Sequence, residues 1–342
     1  MSAKQSRHLI VPVFIPHKGC PHRCLFCEQE RITSEKSTGI TPDHVKDILD
    51  TAIHARGFDP DRRPEIAFYG GTFTNLPFDL MSLLLETVRP YIEQGLFASV
   101  RVSTRPDAID KDTLLTMKDY GVKTVELGVQ SMDDNILALS RRGHTSADTV
   151  NAVHVLRDLG LDVGIQLMPG LPGDSEETFR ITTEKVKALA PDMVRLYPAL
   201  VIKGTGLLQL YEQGLYTPLA LERAVEICAE ACMDLEAAGI PVIRMGLMSS
   251  PSLLEEGQIV DGPWHPAFGF LVRSLIYHKT IERYLDLPAG KTGIKIFAKP
   301  EDMSLLRGHK NYGIKRIEAM TGRKITGLIP DESLDYGTIR IE

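Results

Sequence analysis

Three of the chain's five cysteines, Cys20, Cys24 and Cys27, fall within eight residues of the stretch Phe14-Ile15-Pro16-His17-Lys18-Gly19-Cys20-Pro21-His22-Arg23-Cys24-Leu25-Phe26-Cys27. A loop that returns three thiolates to one point is suited to hold a metal centre. Clustered cysteines in a reducing compartment bind metals or take part in catalysis more often than they form disulfides. A 4Fe–4S cube normally takes four thiolates. Three leave one iron open, and an open iron can bind a further ligand. The blander alternative is a structural zinc knot with His17 or His22 as fourth ligand. Such knots usually come as two paired knuckles, and no second pair is visible. Cys228 and Cys232 stand four apart in a strongly helical stretch and read as buried packing residues.

The segments that must position this loop alternate between two periods. Strand-like runs cover 9–15, 65–69, 99–103, 124–129, 162–167 and 193–197, with 242–245 as a candidate seventh. Helical patterns cover 41–56, 78–92, 111–120, 146–159, 175–190 and 218–238, with a shorter one at 133–139. Thr41-Pro42 supplies a capping hydroxyl and a first-position proline. Such alternation means parallel βα units wound right-handed. The expected fold class is therefore α/β, an incomplete (β/α)6-type TIM barrel with a C-terminal α/β extension. In such barrels the chemistry lies at the C-terminal ends of the strands.

Each chemically suggestive motif follows a strand or the short helix after the fourth. Tyr69-Gly70-Gly71-Thr72 lets backbone approach a ligand closely and offers carbonyls to an ammonium group; the alternative is a tight turn. Ser103-Thr104-Arg105 puts polar groups where a ribose or carboxylate would bind, or else caps a helix. Gln130 sits where its amide would reach a hydroxyl, with Ser131 the better cap for the next helix. In Arg141-Arg142-Gly143-His144-Thr145, Arg142 is the candidate carboxylate clamp, against a solvated basic pair. Met168-Pro169-Gly170-Leu171-Pro172-Gly173 forms a rigid loop whose backbone would read a base edge.

The C-x3-C-x2-C spacing, with Phe26 just before the last cysteine, resembles that of the radical S-adenosylmethionine (radical SAM) enzymes. The stretches VELGVQS, RRGHT, LMPGLPGD and PDMVRLYPALVIKGTGL are similar to the radical SAM domain of the Elongator catalytic subunit and its bacterial relatives, over roughly 11–238. This resemblance implies two cofactors, a 4Fe–4S cluster and S-adenosylmethionine (SAM). It implies reductive cleavage of SAM to a 5′-deoxyadenosyl radical that abstracts hydrogen from a substrate, with a low-potential flavodoxin or ferredoxin type of electron donor. It makes Cys20, Cys24 and Cys27 the cluster ligands. Phe26, Gly70, Gly71, Thr72, Ser103, Arg105, Gln130, Arg142, Met168 and Gly170 become the expected SAM contacts, with Arg142 on the methionine carboxylate. Elongator subunits have a longer gap between the first two cysteines and an acetyltransferase domain, for which too little of this sequence follows Ala238. A transfer-RNA base is thus a substrate by analogy. Oxygen-independent coproporphyrinogen oxidases share parts of the pattern but carry a further cysteine where Gln29 stands here. A non-catalytic iron–sulfur sensor would keep the cysteines but have no need of the pocket motifs.

With 342 residues, the chain divides on this reading into a radical SAM partial barrel (1–248) and a C-terminal extension of no assigned role (249–342). Hydrophobic residues at 43% and charged residues at 25% are ordinary for a globular protein. A net charge of −6 argues against coating nucleic acid by bulk charge, while a local basic groove stays open. No apolar run is long enough to span a bilayer, and the N-terminal one is broken by Pro12 and Pro16. The expectation is a cytoplasmic protein with no membrane partner. Beyond the repeat, 249–252 reads as a loop and 261–266, with the only tryptophan, as a rigid turn. That turn is expected to be a packed corner; the alternative closes it over the barrel mouth with His265 facing substrate. A helix over 267–281 follows. The run His309 to Arg316 mixes positive charge with Tyr312, and reads as a solvated helix face in preference to a nucleic-acid contact.

Overall fold

Short runs rich in Val, Ile, Leu and Phe build a sheet buried on both faces, as parallel sheets require. The computed structural model describes residues 9–21, 23–35, 40–286 and 293–342. Strand β1 (Ile10–Phe14) leads into the cysteine loop, followed by α1 (Gln29–Thr33), α2 (Pro42–Ile53), β2 (Glu65–Tyr69), α3 (Phe78–Glu93), β3 (Ser99–Thr104), α4 (Lys111–Asp119) and β4 (Val122–Gln130). Next come α5 (Asp134–Leu139), α6 (Ser146–Asp158), β5 (Asp162–Leu167), α7 (Glu176–Leu189), β6 (Met193–Leu196), β7 (Val201–Ile202), α8 (Gly206–Glu212), α9 (Leu221–Ala237) and β8 (Val242–Met245). Strands β1 to β6 and then β8 lie side by side in that order, every neighbour parallel. They curl into a half-barrel in which 242–245 is the seventh strand, one more than the six-unit expectation.

The helices cover the outside of the sheet. Leu49 of α2, Leu84 and Leu85 of α3, Val186 of α7 and Leu235 of α9 share one core with the strand residues Val13, Phe68, Val102, Leu127 and Ile165. Each such side chain contributes about 1.5–3 kcal/mol when fully buried. Cys228 and Cys232 are buried in the same core, which is the packing role expected of them. The helix starts are fixed locally. Thr41 accepts from the His44 amide, and Thr145 with Asp148 forms a capping box that begins α6 just after the Arg-Arg-Gly turn. These caps set where the loops at the strand ends must stop.

After the barrel come α10 (Pro251–Leu254), β9 (Ile259–Asp261), α11 (Phe268–Ile281), β10 (Ile294–Ala298), α12 (Met303–Arg307), α13 (Tyr312–Thr321), β11 (Ile325–Pro330) and β12 (Ile339–Ile341). Residues 251–254 are therefore helical, which corrects the loop expected there. Ser250 accepts from the Leu253 amide and Pro251 takes the first helical position, together a start signal. Helix α11 packs on α9 and β8, and its far end joins a second core of Tyr277, Ile281, Ile296, Leu306 and Ile317 under the sheet β11-β10-β12. Trp264 packs beside Leu200, Ile202 and Leu253. His265 accepts from the Ala267 amide and meets the His309 ring edge-on at 4.8 Å, away from the barrel cavity. The turn is a packed corner. Tyr312 is exposed at the start of α13. No helix among the described residues is long and apolar enough to cross a membrane.

Candidate active site

Because the seven strands run the same way, the loops that follow them open at one edge, and the cysteine loop lands there. The Ile15 amide donates to the Tyr69 carbonyl at 2.8 Å and the His17 amide to the Gly70 carbonyl at 3.0 Å, which extends the β1–β2 ladder into the loop. The Thr72 amide donates to the Lys18 carbonyl at 2.8 Å, and Asn75 Nδ2 to the Gly19 carbonyl at 2.7 Å. On the other side, the Leu25 amide donates to the Ser140 carbonyl at 3.2 Å and the Leu207 amide to the Leu25 carbonyl at 2.7 Å. The glycine pair explains how the loops come so close. Gly70 has φ +91°, and a Cβ on Gly71 would stand 2.5 Å from the Lys18 carbonyl oxygen and 2.7 Å from that of Ile15.

The three cysteines face one cavity of about 320 Å³. Cys20 Sγ lies 3.3 Å from Thr72 Oγ1, and Cys24 Sγ accepts from Arg142 Nη1 at 3.0 Å. Cys24 and Phe26 are buried in an apolar cluster with Ile136, Leu171 and Val201, against which Cys27 and Met168 pack. Burial pushes the Cys27 thiol pKa up, and the neighbouring Cys24 and Cys20 push it further. Sulfurs near enough to oppose one another's ionisation, in apolar surroundings, suit a cationic centre. Three thiols would need a histidine to complete a zinc knot. His17 is occupied otherwise, since its Nε2 accepts from the Gln29 amide at 3.1 Å. His22 lies outside the described residues. Three thiols on one cavity are the donor set of an iron–sulfur cube with one open iron.

Phe26, Gly70, Gly71, Thr72, Ser103, Arg105, Gln130, Arg142 and Met168 line the same cavity as the cysteines. Gly170 does not. Its amide donates to Asp174 at 2.9 Å and its carbonyl accepts from the Tyr216 hydroxyl at 2.6 Å. Gln130 has φ +68° where the β4–β5 register shifts, and its carbonyl accepts from the Met168 amide at 2.9 Å. A non-glycine residue held in that conformation is characteristic of functional sites. Arg105 grips Asp107 through two hydrogen bonds of 2.9 and 2.8 Å and also donates to the Arg142 carbonyl. Arg142 directs its terminal nitrogens to Cys24 Sγ and the Gly128 carbonyl. His144 Nε2 lies 3.2 Å from the Val129 carbonyl, and burial, reinforced by Arg142, lowers its pKa to about 4.

Sequence reasoning missed the polar floor of the cavity. Glu126 on β4 binds Arg101 on β3 at 2.7 Å and Arg195 on β6 at 2.7 Å, and accepts from the Tyr69 hydroxyl at 2.9 Å. Arg101 also pairs with Glu65, and Arg195 donates to the Tyr69 and Tyr197 hydroxyls at 2.7 and 3.1 Å. Burial pushes the Glu126 carboxyl pKa up, but Arg195 and Arg101 outweigh it and hold it below the usual carboxylate range. The available signal was charge inside strands: Arg101, Glu126, Arg195 and Arg244 interrupt runs that are otherwise apolar.

Residues 14–186, just over half of the chain, match the radical SAM superfamily. The chain belongs to the radical SAM superfamily. Residues 191–278 match the radical SAM C-terminal domain, which reaches past the region the motifs alone identified. This radical SAM enzyme is 40% identical over 259 residues to a tRNA uridine(34) acetyltransferase of Methanocaldococcus infernus, covering 65% of this chain and 48% of the relative. It is 28% identical over 257 residues to Elongator complex protein 3 of Homo sapiens, covering 63% of this chain and 47% of the relative. The chain thus spans about half the length of these curated relatives. The solved structure of the archaeal M. infernus Elp3 with an N-terminal deletion superposes with a TM-score of 0.63 at 25% identity, over 80% of this chain and 63% of that one. Members of the superfamily use a 4Fe–4S cluster and SAM.

Proposed function

We propose that Cys20, Cys24 and Cys27 hold a 4Fe–4S cluster whose open iron takes SAM, and that the enzyme abstracts a hydrogen atom from a transfer-RNA base. The main support is the meeting of three thiols and the strand-end residues in one cavity. When bound, the cluster and SAM supply a 5′-deoxyadenosyl radical by reductive cleavage, with the electron coming from a flavodoxin or ferredoxin type of donor. The chain's own residues bind, orient and exclude water. Gly71 and Thr72, whose hydroxyl lies 3.3 Å from Cys20 Sγ, line the cavity and would hold the ammonium group of SAM. Ser103 and Gln130 offer hydroxyl and amide groups to a ribose, with Arg105 on the same wall, and Met168 offers an apolar face to adenine. Leu171 and Val201, packed around Cys24 and Phe26, keep that side dry, which limits quenching of a reactive intermediate.

The transfer-RNA substrate is taken from relatives described as tRNA uridine(34) acetyltransferases. A cytoplasmic location and the division into a barrel (1–248) and an extension (249–342) belong to the same proposal. The test is anaerobic reconstitution with iron and sulfide, then incubation with SAM, a low-potential reductant and total transfer RNA. The expected result is a brown protein that forms 5′-deoxyadenosine, with a new nucleoside found by mass spectrometry. Cys24→Ala should abolish both. A colourless protein holding zinc refutes the cluster. Deoxyadenosine formed with no altered nucleoside refutes the transfer-RNA substrate alone.

A further inference from the structure

We propose that Arg142 is a positioning residue for the Cys24 thiolate and raises the reduction potential of the bound cluster. The inference rests on the cluster reading above and deepens it. Arg142 is only 6% exposed, and its Nη1 lies 3.0 Å from Cys24 Sγ. Its Nη2 donates to the Gly128 carbonyl, so the guanidinium fork is fixed between strand β4 and the sulfur. The guanidinium also sits over the Phe26 ring, 6.0 Å from its centroid.

The turn that delivers this side chain is built for it. Arg141 and Gly143, on either side, have φ +52° and +72°, a sharp reversal after α5. The Arg142 amide donates to the Leu137 carbonyl at 2.9 Å, and its carbonyl accepts from Arg105, itself clamped by Asp107. Two residues singled out from the sequence as ligand contacts therefore act in series: Asp107 holds Arg105, Arg105 holds the Arg142 backbone, and Arg142 reaches Cys24.

The sulfurs are unequal as a result. Cys20 has a neutral hydroxyl 3.3 Å away, whereas Cys24 has a charged donor at 3.0 Å. Charge-assisted hydrogen bonds are the strong ones, and the apolar surroundings leave this one little screened. Reduction adds one negative charge to the cluster. A fixed cation bonded to a ligand sulfur favours the reduced state, and hydrogen bonds to the sulfurs are among the factors that set iron–sulfur potentials. In this geometry the terminal nitrogens of Arg142 face the sulfur and a carbonyl.

The experiment compares wild type, Arg142→Lys, Arg142→Gln and Arg142→Met after anaerobic reconstitution. Iron and sulfide are counted per chain, and a redox titration is followed by electron paramagnetic resonance without SAM. At fixed donor potential, the Met variant should show about a tenfold smaller ratio of reduced to oxidised cluster, equivalent to about 59 mV for one electron. Arg142→Lys should recover part of that. An unchanged midpoint in a fully loaded Met variant overturns the inference. If the Met variant does not load, Arg142→Gln decides: a lowered midpoint supports the inference and an unchanged one overturns it. A wild type that takes up no cluster instead defeats the underlying cluster reading.

Discussion

Gly71→Ala is a one-carbon change whose effect should be confined to the cysteine loop. The new Cβ would stand 2.5 Å from the Lys18 carbonyl oxygen and 2.7 Å from that of Ile15, where real Cβ atoms essentially never come closer than 3.0 Å. Those oxygens must therefore retreat by at least 0.5 and 0.3 Å, the differences from 3.0 Å, and both are backbone. Overpacking of this kind costs about 1–3 kcal/mol. The retreat also pulls on the bonds from Thr72 to Lys18 and from His17 to Gly70. Each is worth about 0.5–1.5 kcal/mol. If both are lost the sum is roughly 2–6 kcal/mol. Each 1.4 kcal/mol spent opening the loop is about a tenfold loss of chains ready to take the cluster. The assay is iron and acid-labile sulfide per chain after reconstitution, with thermal unfolding alongside. Cluster content should fall severely while the barrel still unfolds cooperatively. Gly57→Ala, whose Cβ would meet nothing within 4 Å, is the control and should load normally. A Gly71→Ala protein that loads iron like wild type would refute the claim that this glycine exists for the close approach of two loops.

Two further substitutions probe buried titratable groups, one lining the cavity and one behind it. Glu126→Gln leaves Arg101 and Arg195 buried without their shared carboxylate, a loss of about 3–5 kcal/mol expected as a lower urea midpoint at pH 7. Because the folded carboxyl pKa is depressed, the stability it contributes is complete above the ordinary carboxylate range and drains away as pH falls through the lowered folded value. An unchanged midpoint would mean the network is neutral. His144 behaves in the same direction but at higher pH. Its pKa falls from 6.5 to about 4 through burial and the nearby Arg142, so the unfolded chain binds the extra proton first. Stability should be complete above pH 6.5 and decline from there toward pH 4, by on the order of 3 kcal/mol. His144→Gln should flatten that window and leave the Glu126 loss at lower pH; a slope that persists between pH 6.5 and 4 would count against it.

Most of the scaffold was legible because local signals agreed with the global fold. The runs at 65–69, 162–167 and 242–245 coincide with β2, β5 and β8 to the residue, since each is a short apolar strand bounded by turn residues. Thr41-Pro42 marked the start of α2 for the same reason. The equivalent signal at Ser250-Pro251 was missed because the repeat had already ended and a four-residue helix has no visible period. The cysteine loop was legible through spacing alone. Its bracing was not, because Thr72, Ser140 and Leu207 meet it only after the chain has folded back.

What the motifs obscured was the direction of each side chain. Arg105 and Arg142 were read as two independent contacts to a ligand, since an arginine near a strand end advertises an anion. In the fold Arg105 faces Asp107 and the Arg142 carbonyl, while Arg142, delivered by the left-handed turn at Arg141 and Gly143, faces a thiol and the Gly128 carbonyl. Gly170, expected as a SAM contact, is not among the residues that line the cavity, and its carbonyl accepts from the Tyr216 hydroxyl. Conversely, Glu126 and Arg195 carried the strongest warning in the chain and went unread. A parallel strand buried on both faces has no place for a charge unless the barrel interior supplies its partner. Arg101 and Glu126 lie on the adjacent strands β3 and β4, and Arg195 lies on β6, with β5 between it and Glu126. Ionisable residues in the middle of such strands are thus a site signal: Arg195 reaches Glu126 across β5, and with Arg101 the two give the cavity its polar floor.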